Sequence, residues 1–539
     1  MSPRAFTRRL INGAWIASCS GHHARFTAAL DHVAEVQSGY LFKLIGRNAQ
    51  TRFGVKHGFS QIRSVSEYQN RVPITLYDAL HQEIEAIGSG EKGVLTADRV
   101  TLFQPTSGSS SATKLIPWTR SLAQEFRRGI APWVFALYRR KPKLLQGTAY
   151  WSVSPPTAAP RTCGRLRVGF DHDAEYLGFL GQRLYGLVSA VPPAVALCND
   201  MAEFKTRTLV SLLADENLSL ISIWSPTFLT ALLDHFLTRP EEILGALDRH
   251  ESRGARKRTE FLRSNLGQRR GAAFFEKVWP NLQVISCWTH GASEIYAENL
   301  RRLFPEVEIQ GKGLVATEAL ISLPLYADQE PVLAVTSHFL EFQDPAGGRV
   351  SLAHEVVVGN TYRVIVTTGG GLYRYPLGDL VRVTGFIGEA PCLRFVGREG
   401  NVSDLFGEKL QGAFVERVIR DALAQQGVRP RFFVLAPAQD GTSKTGYALF
   451  LDSEVIPDAA RLTRDLETGL AESFHYGHCR RLGQLARARV FQISHDSVSA
   501  EAIYEQEMLS RGLKAGDIKP VPLDCKSGWE RRFIGQFVA

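Results

Sequence analysis

The pattern of hydrophobic and polar residues changes near residue 100. Residues 1–100 carry a mainly helical pattern, which turn-forming residues interrupt at Gly54, Gly58 and Pro73. From there on, short apolar runs bounded by Gly, Pro and Ser alternate with helical stretches, and these runs lie at residues 99–103, 219–224, 282–287, 332–337 and 362–367. Strands that alternate with helices predict an α/β fold.

The last quarter of the chain has a pattern of its own. A polar, glycine-containing segment at residues 395–402 separates two strand-like blocks, and an amphipathic helix follows at residues 410–425. Further strands are predicted at 431–435, 447–451 and 488–493, with a helix near 459–472. We therefore expect a large domain over 1–395, a hinge at 396–402 and a small mobile α+β domain over 403–539. A large domain and a small domain joined by a flexible segment are typical of an enzyme whose domains close between reaction steps.

Length and charge limit the possible partners. A chain of 539 residues is too long for one ordinary core, so two or more domains are expected. The 63 Lys and Arg residues exceed the 54 Asp and Glu residues, which gives a net charge of +9. The densest basic clusters, at residues 139–143 and 253–258, lack the aromatic platforms of a nucleic-acid site. We expect neither nucleic acid nor a membrane as partner, and a mild positive field favours an anionic substrate such as a nucleotide or a carboxylate.

The cysteines indicate the compartment. Seven cysteines stand singly along the chain, and no C-x-x-C pair occurs. This spacing predicts neither a zinc site nor a disulfide framework. Unpaired cysteines fit a reducing environment, so we expect a cytoplasmic protein.

The first segment with candidate chemistry is TSGSSSATK at residues 106–114. It holds six hydroxyl residues, one glycine and Lys114, directly after a predicted strand. Backbone N–H groups and hydroxyls in such a loop can donate to phosphate oxygens, and the lysine adds a positive charge. The spacing is not that of a Walker A loop, and a serine-rich surface turn is the alternative interpretation.

Two later segments each contribute a carboxylate. In GKGLVATEA, residues 311–319, Glu318 follows Thr317, and one carboxylate beside phosphate oxygens suits Mg²⁺. In GGGLYRYPLGDLVRV, residues 369–383, an aromatic and basic strand leads to Asp379, whose carboxylate can accept both hydroxyls of a ribose. The alternatives are an ordinary surface acid for Glu318 and a hairpin turn for the second segment.

In this order, the three segments resemble the motifs of the ANL adenylating superfamily. The branch they resemble is the family of auxin-responsive (Gretchen Hagen three) acyl acid-amido synthetases of plants and their bacterial relatives, and we expect a bacterial member. TSGSSSATK is similar to T-S-G-S-T-G-x-P-K, ATEA to the acidic motif, and GLYRYPLGD to G-L-Y-R-Y-x-x-G-D. The resemblance implies a large N-terminal domain of β-sheets flanked by helices, with a small β-barrel subdomain, and a small C-terminal α+β domain.

The resemblance also implies a role for each matching residue. The ATP phosphates are expected to be held by Thr106, Ser107, Gly108, Ser109, Ser110 and Lys114. Thr317 is expected to contact the α-phosphate, and Glu318 to bind Mg²⁺. Asp379 is expected to bind the ribose, with Arg398 supporting it. The mobile catalytic lysine is placed at Lys519, and Lys514 in the same segment is its rival.

Several positions depart from the family pattern or carry weaker expectations. Ser111 replaces the second glycine of the phosphate loop, Leu314 replaces the adenine-stacking tyrosine, and Gly369 replaces an aromatic residue of the plant enzymes. The acyl pocket is predicted from mid-chain apolar segments at Trp224, Phe228, Trp288 and His290, with His290 as the base for the attacking amine. Aromatic residues of this kind also occur as plain core.

The predicted function is therefore an ATP- and Mg²⁺-dependent ligase. We expect it to activate a carboxylic acid as acyl-AMP, release pyrophosphate and pass the acyl group to an amine, with an amino acid as the expected acceptor. An acyl-CoA ligase and a non-catalytic nucleotide-binding homologue are the alternatives. The expected assembly is a monomer or a weak dimer.

Overall fold

The secondary structure comes from a computed structural model, which describes residues 3–106, 114–152, 161–169, 188–198, 200–250, 254–268, 271–400, 402–439, 445–455, 457–494, 498–513 and 518–538. Its helices are α1 (Pro3–Ala29), α2 (Val33–Arg47), α3 (Arg52–Lys56), α4 (Val65–Arg71), α5 (His81–Gly88), α6 (Arg120–Arg140), α7 (Met201–Ala214), α8 (Pro226–Thr238), α9 (Pro240–Asp248), α10 (Ala255–Ser264), α11 (Ala272–Val278), α12 (Glu294–Leu303), α13 (Gly412–Ala424), α14 (Ala459–Ala471), α15 (Phe474–Arg481) and α16 (Ala500–Ser510).

The strands are mostly short. They are β1 (Val100–Pro105), β2 (Leu115–Thr119), β3 (Thr148–Trp151), β4 (Arg161–Cys163), β5 (Leu166–Val168), β6 (Leu218–Ser222), β7 (Val284–Cys287), β8 (Glu308–Gly311), β9 (Ser322–Leu323), β10 (Val332–Leu333), β11 (Phe339–Gln343), β12 (Val350–Leu352), β13 (Thr361–Thr367), β14 (Tyr375–Ile387), β15 (Ala390–Arg398), β16 (Val402–Ser403), β17 (Leu410–Gln411), β18 (Pro430–Gln439), β19 (Thr445–Ser453), β20 (Arg489–Ile493) and β21 (Gly535–Val538).

These elements form two units. The first unit comprises Met1–Trp224, Glu242–Cys287 and Phe304–Phe395, and the second comprises Ser225–Glu241, Trp288–Leu303 and Val396–Ala539. The second unit therefore includes two short segments that the division predicted from sequence placed in the large domain. The physical reason is that α8 and α12 pack against α16 and β18, which lie far away in sequence.

In the first unit, the helical N-terminal region predicted from sequence is found as α1 to α5. Polar caps start several helices: Ser64 accepts from the N–H of Glu67 at α4, and Thr119 accepts from the N–H of Leu122 at α6. Helix α1 packs along α6, and their apolar faces join a core that extends to strands β11, β13 and β14.

A parallel sheet of the first unit has the strand order β3-β6-β7-β8. Its central strand β6 is buried along its whole length, as expected of a parallel strand covered on both faces. One residue from each strand pairs with its neighbours to form a row across the sheet. This row consists of Trp151, Ser222, Ser286 and Gln310. The row lies at the carboxyl ends of the strands, the edge at which α/β sheets commonly bind ligands.

Two further sheets complete the first unit. The four-stranded sheet β2-β1-β5-β4 contains the β1–β2 hairpin, in which Pro105 pairs with Leu115. A seven-stranded sheet follows with the order β12-β11-β13-β14-β15-β10-β9. Strands β11, β13 and β14 are antiparallel neighbours within it.

The second unit is an α+β structure around the sheet β18-β19-β20-β21. Alternate residues of β18 supply two cores, because successive side chains of a strand point to opposite faces. Phe433 and Leu435 pack with helices α13, α14 and α15, whereas Phe432 and Val434 pack with α16 and Trp529. The predicted strands and helices of the C-terminal region are confirmed to within a few residues. No described helix combines the length and the apolar composition needed to cross a bilayer.

Candidate functional site

The serine-rich segment connects the two strands of the β1–β2 hairpin. At its base, the N–H of Thr106 donates to the carbonyl oxygen of Lys114 over 2.9 Å, which extends the strand pairing by one residue pair. The predicted phosphate ligands Ser107, Gly108, Ser109 and Ser110, together with Ser111, lie outside the described residues.

Lys114 connects this hairpin to the glycine- and tyrosine-rich segment. Its Nζ atom lies 3.2 Å from Oη of Tyr375, the first residue of β14. The same atom lies 5.9 Å and 5.8 Å from the ring centroids of Tyr77 and Tyr375, at distances typical of cation–π contacts. Tyr77 also accepts, at its hydroxyl, a hydrogen bond of 2.7 Å from the N–H of Leu115. Two tyrosines therefore fix the position of the half-buried ammonium.

Arg374, the neighbour of Tyr375, has a structural role. It adopts a positive φ of 47°, which is rare for a residue with a side chain. Its Nε atom lies 3.1 Å and 3.2 Å from the two carboxylate oxygens of the buried Glu341. Its Nη1 atom donates to the carbonyl oxygens of Gln69 and Val72. These bonds hold the strained backbone and thereby set the direction of the Tyr375 side chain.

The acidic segment forms a hairpin with its two polar residues at the tip. The N–H of Ala316 donates to the carbonyl oxygen of Ala319 over 2.9 Å, so Thr317 and Glu318 occupy the two turn positions. Glu318 is 4% exposed, although a surface acid is the usual environment for such a residue. Leu314 lies at the base of the hairpin, where its N–H donates to Oγ of Ser322.

A buried chain of hydrogen bonds connects this hairpin to the glycine loop. The N–H of Leu320 donates to Nε2 of His338 over 3.0 Å, so Nε2 carries no proton. The proton on Nδ1 is then donated to Glu125 over 2.9 Å. The same carboxylate accepts from the N–H of Gly369 and from the hydroxyl of Tyr40, at 2.9 Å and 2.6 Å. Sequence reasoning missed Glu125 and His338, since no local pattern relates residues that far apart.

Gly369 is required by close packing. A Cβ atom at this position would meet Oε1 of Glu125 at 2.4 Å and Cβ of Ser121 at 2.6 Å. Thr119, which caps α6, also donates its hydroxyl to the carbonyl oxygen of Gly369. A larger residue at this position would therefore displace Glu125 or Ser121.

Asp379 lies four residues after Tyr375 on β14 and is 7% exposed. The pairing of β13 with β14 is irregular beside it, between Arg363 and Ile365, and Gly378 has a φ of 80°. Such an irregularity re-aims the side chains next to it. Arg398 is the last residue of β15, is exposed, and belongs to the second unit.

In the second unit, Lys519 and Trp288 are in contact. The Nζ atom of Lys519 lies 3.7 Å from the centroid of the Trp288 ring, and the lysine is otherwise exposed. The segment around Lys519 is fixed by the Tyr504 hydroxyl, which donates to the carbonyl oxygen of Lys519 and accepts from the N–H of Val521. The rival residue Lys514 lies outside the described residues.

The four predicted acyl-pocket residues fall into both units. Trp224 belongs to the first unit, and its ring centroid lies 5.3 Å from Nζ of Lys312. Phe228, Trp288 and His290 belong to the second unit. Phe228 is buried on α8 and lines a small cavity with Glu501, Tyr504 and Pro520.

The carboxylates that the structure describes do not form a self-sufficient metal site. Within the described ranges, no group of three or more His, Cys, Asp or Glu side chains is arranged to hold a metal ion. Mg²⁺ in nucleotide sites takes one or two protein carboxylates and completes its coordination with phosphate oxygens and water. The hard oxygen ligand of Glu318 fits that type of site.

Comparison with known proteins identifies the family. The GH3 family N-terminal domain matches residues 22–309, and the GH3 family central domain matches residues 332–398. The indole-3-acetic acid-amido synthetase GH3.4 of Arabidopsis thaliana is 23% identical over 446 residues, covering 73% of this chain and 72% of that protein. Indole-3-acetic acid-amido synthetase GH3.8 of Oryza sativa subsp. indica is 24% identical over 437 residues, covering 73% and 71%.

Solved structures show the same fold. AtGH3.15 acyl acid amido synthetase in complex with 2,4-DB superimposes with a TM-score of 0.81 at 17% identity, covering 96% of this chain and 97% of that chain. The chain belongs to the GH3 family, because the N-terminal domain alone matches more than half of it.

Proposed function

We propose that this protein uses ATP to activate a carboxylic acid as acyl-AMP and then transfers the acyl group to the amine of an amino acid. The contact of Lys114 with Tyr375 carries this proposal, because it joins the phosphate-loop hairpin to the segment that ends at Asp379. The buried bonds from Leu320 through His338 and Glu125 to Gly369 support it, since they connect the Glu318 hairpin to the same segment.

In the first step, a carboxylate oxygen of the acid attacks the α-phosphorus of ATP, and the bond from that phosphorus to the leaving pyrophosphate breaks. Lys114 stabilises the negative charge on the phosphates, and its two tyrosine contacts hold it in position before the charge develops. Asp379 binds the ribose hydroxyls and Thr317 the α-phosphate. Glu318 would hold Mg²⁺, which would supply further charge neutralisation.

Lys519 is proposed as the second catalytic lysine of adenylation. Its exposed position, with an anchored backbone and an ammonium group over the ring of Trp288, suits a residue that acts on a substrate. We further propose that residues 403–539 move about 396–402, with Arg398 at that joint, so that Lys519 serves the first step and leaves for the second. Replacement of Lys519 by alanine should then abolish acid-dependent ATP–pyrophosphate exchange.

In the second step, the amine attacks the acyl carbon of the mixed anhydride, and AMP leaves. The attacking amine must lose a proton, and His290 is the proposed base. We propose an aromatic or arylalkyl acid as the acyl substrate. Trp224 offers an aromatic ring for such a group in the first unit, and the relatives named above are indole-3-acetic acid-amido synthetases.

The test is a screen of carboxylic acids, read by pyrophosphate release in the presence of ATP and Mg²⁺. The proposal predicts release with a subset of acids, most strongly with aromatic ones. Each active acid is then incubated with a mixture of amino acids or with CoA, and the product masses are compared. An N-acyl amino acid supports the proposal, whereas an acyl-CoA identifies a thiol ligase. ATP binding without pyrophosphate release for any acid contradicts it.

A further inference from the structure

Lys312 is a buried lysine to which neither the sequence nor the proposed mechanism assigns a role. It directly follows β8 and is 8% exposed. Its Nζ atom lies 2.6 Å from Oγ of Ser222 and 5.2 Å and 5.3 Å from the ring centroids of Trp133 and Trp224. No carboxylate in the described part of the chain forms an ion pair with it.

An ammonium group in such a place is costly. Removing a charge from water is repaid only by an opposite charge or by several good hydrogen bonds. One hydroxyl and two indole faces replace a small part of that hydration. Accordingly, burial lowers the pKa of Lys312 from its ordinary value of 10.5 to about 7. Binding of an anion next to the ammonium group would therefore be favourable.

Polar and aromatic side chains surround the amine at the carboxyl end of the parallel sheet. Ser222 belongs to the row Trp151, Ser222, Ser286 and Gln310, whose side chains share one face of the parallel sheet because the four residues are in register. Trp133 of α6 lies over this row: its Nε1 donates to Gln310 over 2.9 Å, and its ring centroid is 6.1 Å from that of Trp151.

The row also contains a hydroxyl whose hydrogen-bonding capacity is unused. Oγ of Ser286 is fully buried and has no hydrogen-bond partner among the residues that the structure describes. Buried polar atoms are nearly always satisfied, and one explanation for an exception is a group that binds there. Ser286 neighbours Ser222 in the sheet, so the unused hydroxyl and the amine belong to one patch.

We propose that Lys312 binds the carboxylate of the acyl acid at the carboxyl end of this sheet. Ser222 and Ser286 are its hydroxyl partners. Trp133 and Trp224 lie beside the carbon atoms of the acid that are nearest its carboxylate. This inference rests on the proposed function, since it names the group that receives the acid. Lys312 stands six residues before Glu318 in the chain, so the strand that ends at the acid site continues into the hairpin assigned to the nucleotide. Lys312 orients the carboxylate and exchanges no proton with it.

The experiment measures ATP–pyrophosphate exchange with an acid found in the screen, for the wild type and for Lys312→Met, Lys312→Arg and Ser222→Ala. We expect Lys312→Met to raise the KM for the acid about tenfold or more, the loss expected of a charge-assisted contact, and to leave the KM for ATP within about twofold. Lys312→Arg should restore part of the affinity. Lys143→Met, at an exposed lysine of the same unit, is the matched control and should behave as the wild type.

The KM values for the acid and for ATP decide whether Lys312 binds the carboxylate. An unchanged KM for the acid in Lys312→Met, or an increase confined to the KM for ATP, overturns the inference and leaves the proposed function intact. If Lys312→Met does not fold, Ser222→Ala gives the answer, with an expected increase of about threefold in the KM for the acid and none in that for ATP. Absence of acid-dependent exchange in the wild type refutes the proposed function and, with it, this inference.

Discussion

Nζ of Lys114 and Oη of Tyr375 lie 3.2 Å apart, although 261 positions separate them in the sequence. One belongs to the hairpin whose connecting segment has the composition of a phosphate loop, and the other begins the strand that carries Asp379. A lysine directed by a neighbouring hydroxyl is pre-organised, so less free energy is lost when it meets a phosphate.

Tyr375→Phe should therefore weaken ATP binding. Loss of one hydrogen bond to a charged group costs about 1.5–3 kcal/mol, which corresponds to an increase of roughly tenfold or more in the KM for ATP. The ring remains, so the fold and the cation–π contact should persist. Pyrophosphate exchange at varied ATP concentration measures the effect. Tyr326→Phe, at an exposed tyrosine of the first unit, is the control, and an equal KM in both variants would argue against a role for the Tyr375 hydroxyl.

The buried bonds around Glu125 should make a large contribution to stability. Glu125→Gln keeps the shape of the side chain but replaces one acceptor oxygen by a donor, which then faces the N–H of Gly369 or the donors on Tyr40 and His338. We expect a loss of about 2–4 kcal/mol in the free energy of unfolding, measured by urea denaturation. The exposed Glu85→Gln serves as the reference, and similar stability of the two variants would contradict this role.

Gly369 and Gly385 form a matched pair for a test of the steric argument. Gly369→Ala places a methyl group 2.4 Å from Oε1 of Glu125, whereas a Cβ at Gly385 meets nothing within 4 Å. We expect Gly369→Ala to lower the melting temperature by several degrees, a loss of about 1–3 kcal/mol, and to reduce exchange activity. Gly385→Ala should do neither. Comparable melting temperatures would show that the loop relaxes without cost.

Lys312 predicts a pH dependence of stability. Its pKa falls from 10.5 to about 7 on folding, so the unfolded chain binds more protons between these two pH values. The contribution of this residue to the free energy of unfolding therefore increases as the pH rises from 7 towards 10.5. Between pH 7 and pH 9 the gain should be about 2 kcal/mol.

Lys312→Met should lack this gain, because the variant has no titrating group at this position. Urea denaturation at pH 7 and pH 9 compares the two proteins: the stability of the wild type relative to Lys312→Met should improve at the higher pH. Lys143→Met should follow the wild type at both values. A difference between wild type and Lys312→Met that does not change with pH would exclude a lowered pKa.

The chemistry-bearing segments and most secondary structure are predictable from sequence because they depend on local patterns. Short apolar runs bounded by turn residues located β6, β7 and β13, and the amphipathic stretch at 410–425 located α13. The three motifs were recognisable because each concentrates its polar residues in a few consecutive positions.

The residues that hold those motifs together were not predictable. Glu125 and His338 are 213 positions apart, and each resembles any other core polar residue in its local context. Lys312 stood inside a recognised segment, but its burial depends on Trp133 and Ser222 from other elements. Membership of α8 and α12 in the second unit likewise depends on packing with distant elements, which no local pattern records.

The central claim is that three distant segments serve a single nucleotide. Acid-dependent ATP–pyrophosphate exchange of Lys114→Ala, Glu318→Gln and Asp379→Asn tests it most directly, with circular dichroism to verify folding of each variant. We predict that every one of the three lowers exchange by about a hundredfold or more, the loss typical of a removed electrostatic contact in an active site. A folded variant that exchanges at the wild-type rate would remove its segment from the site and contradict the account.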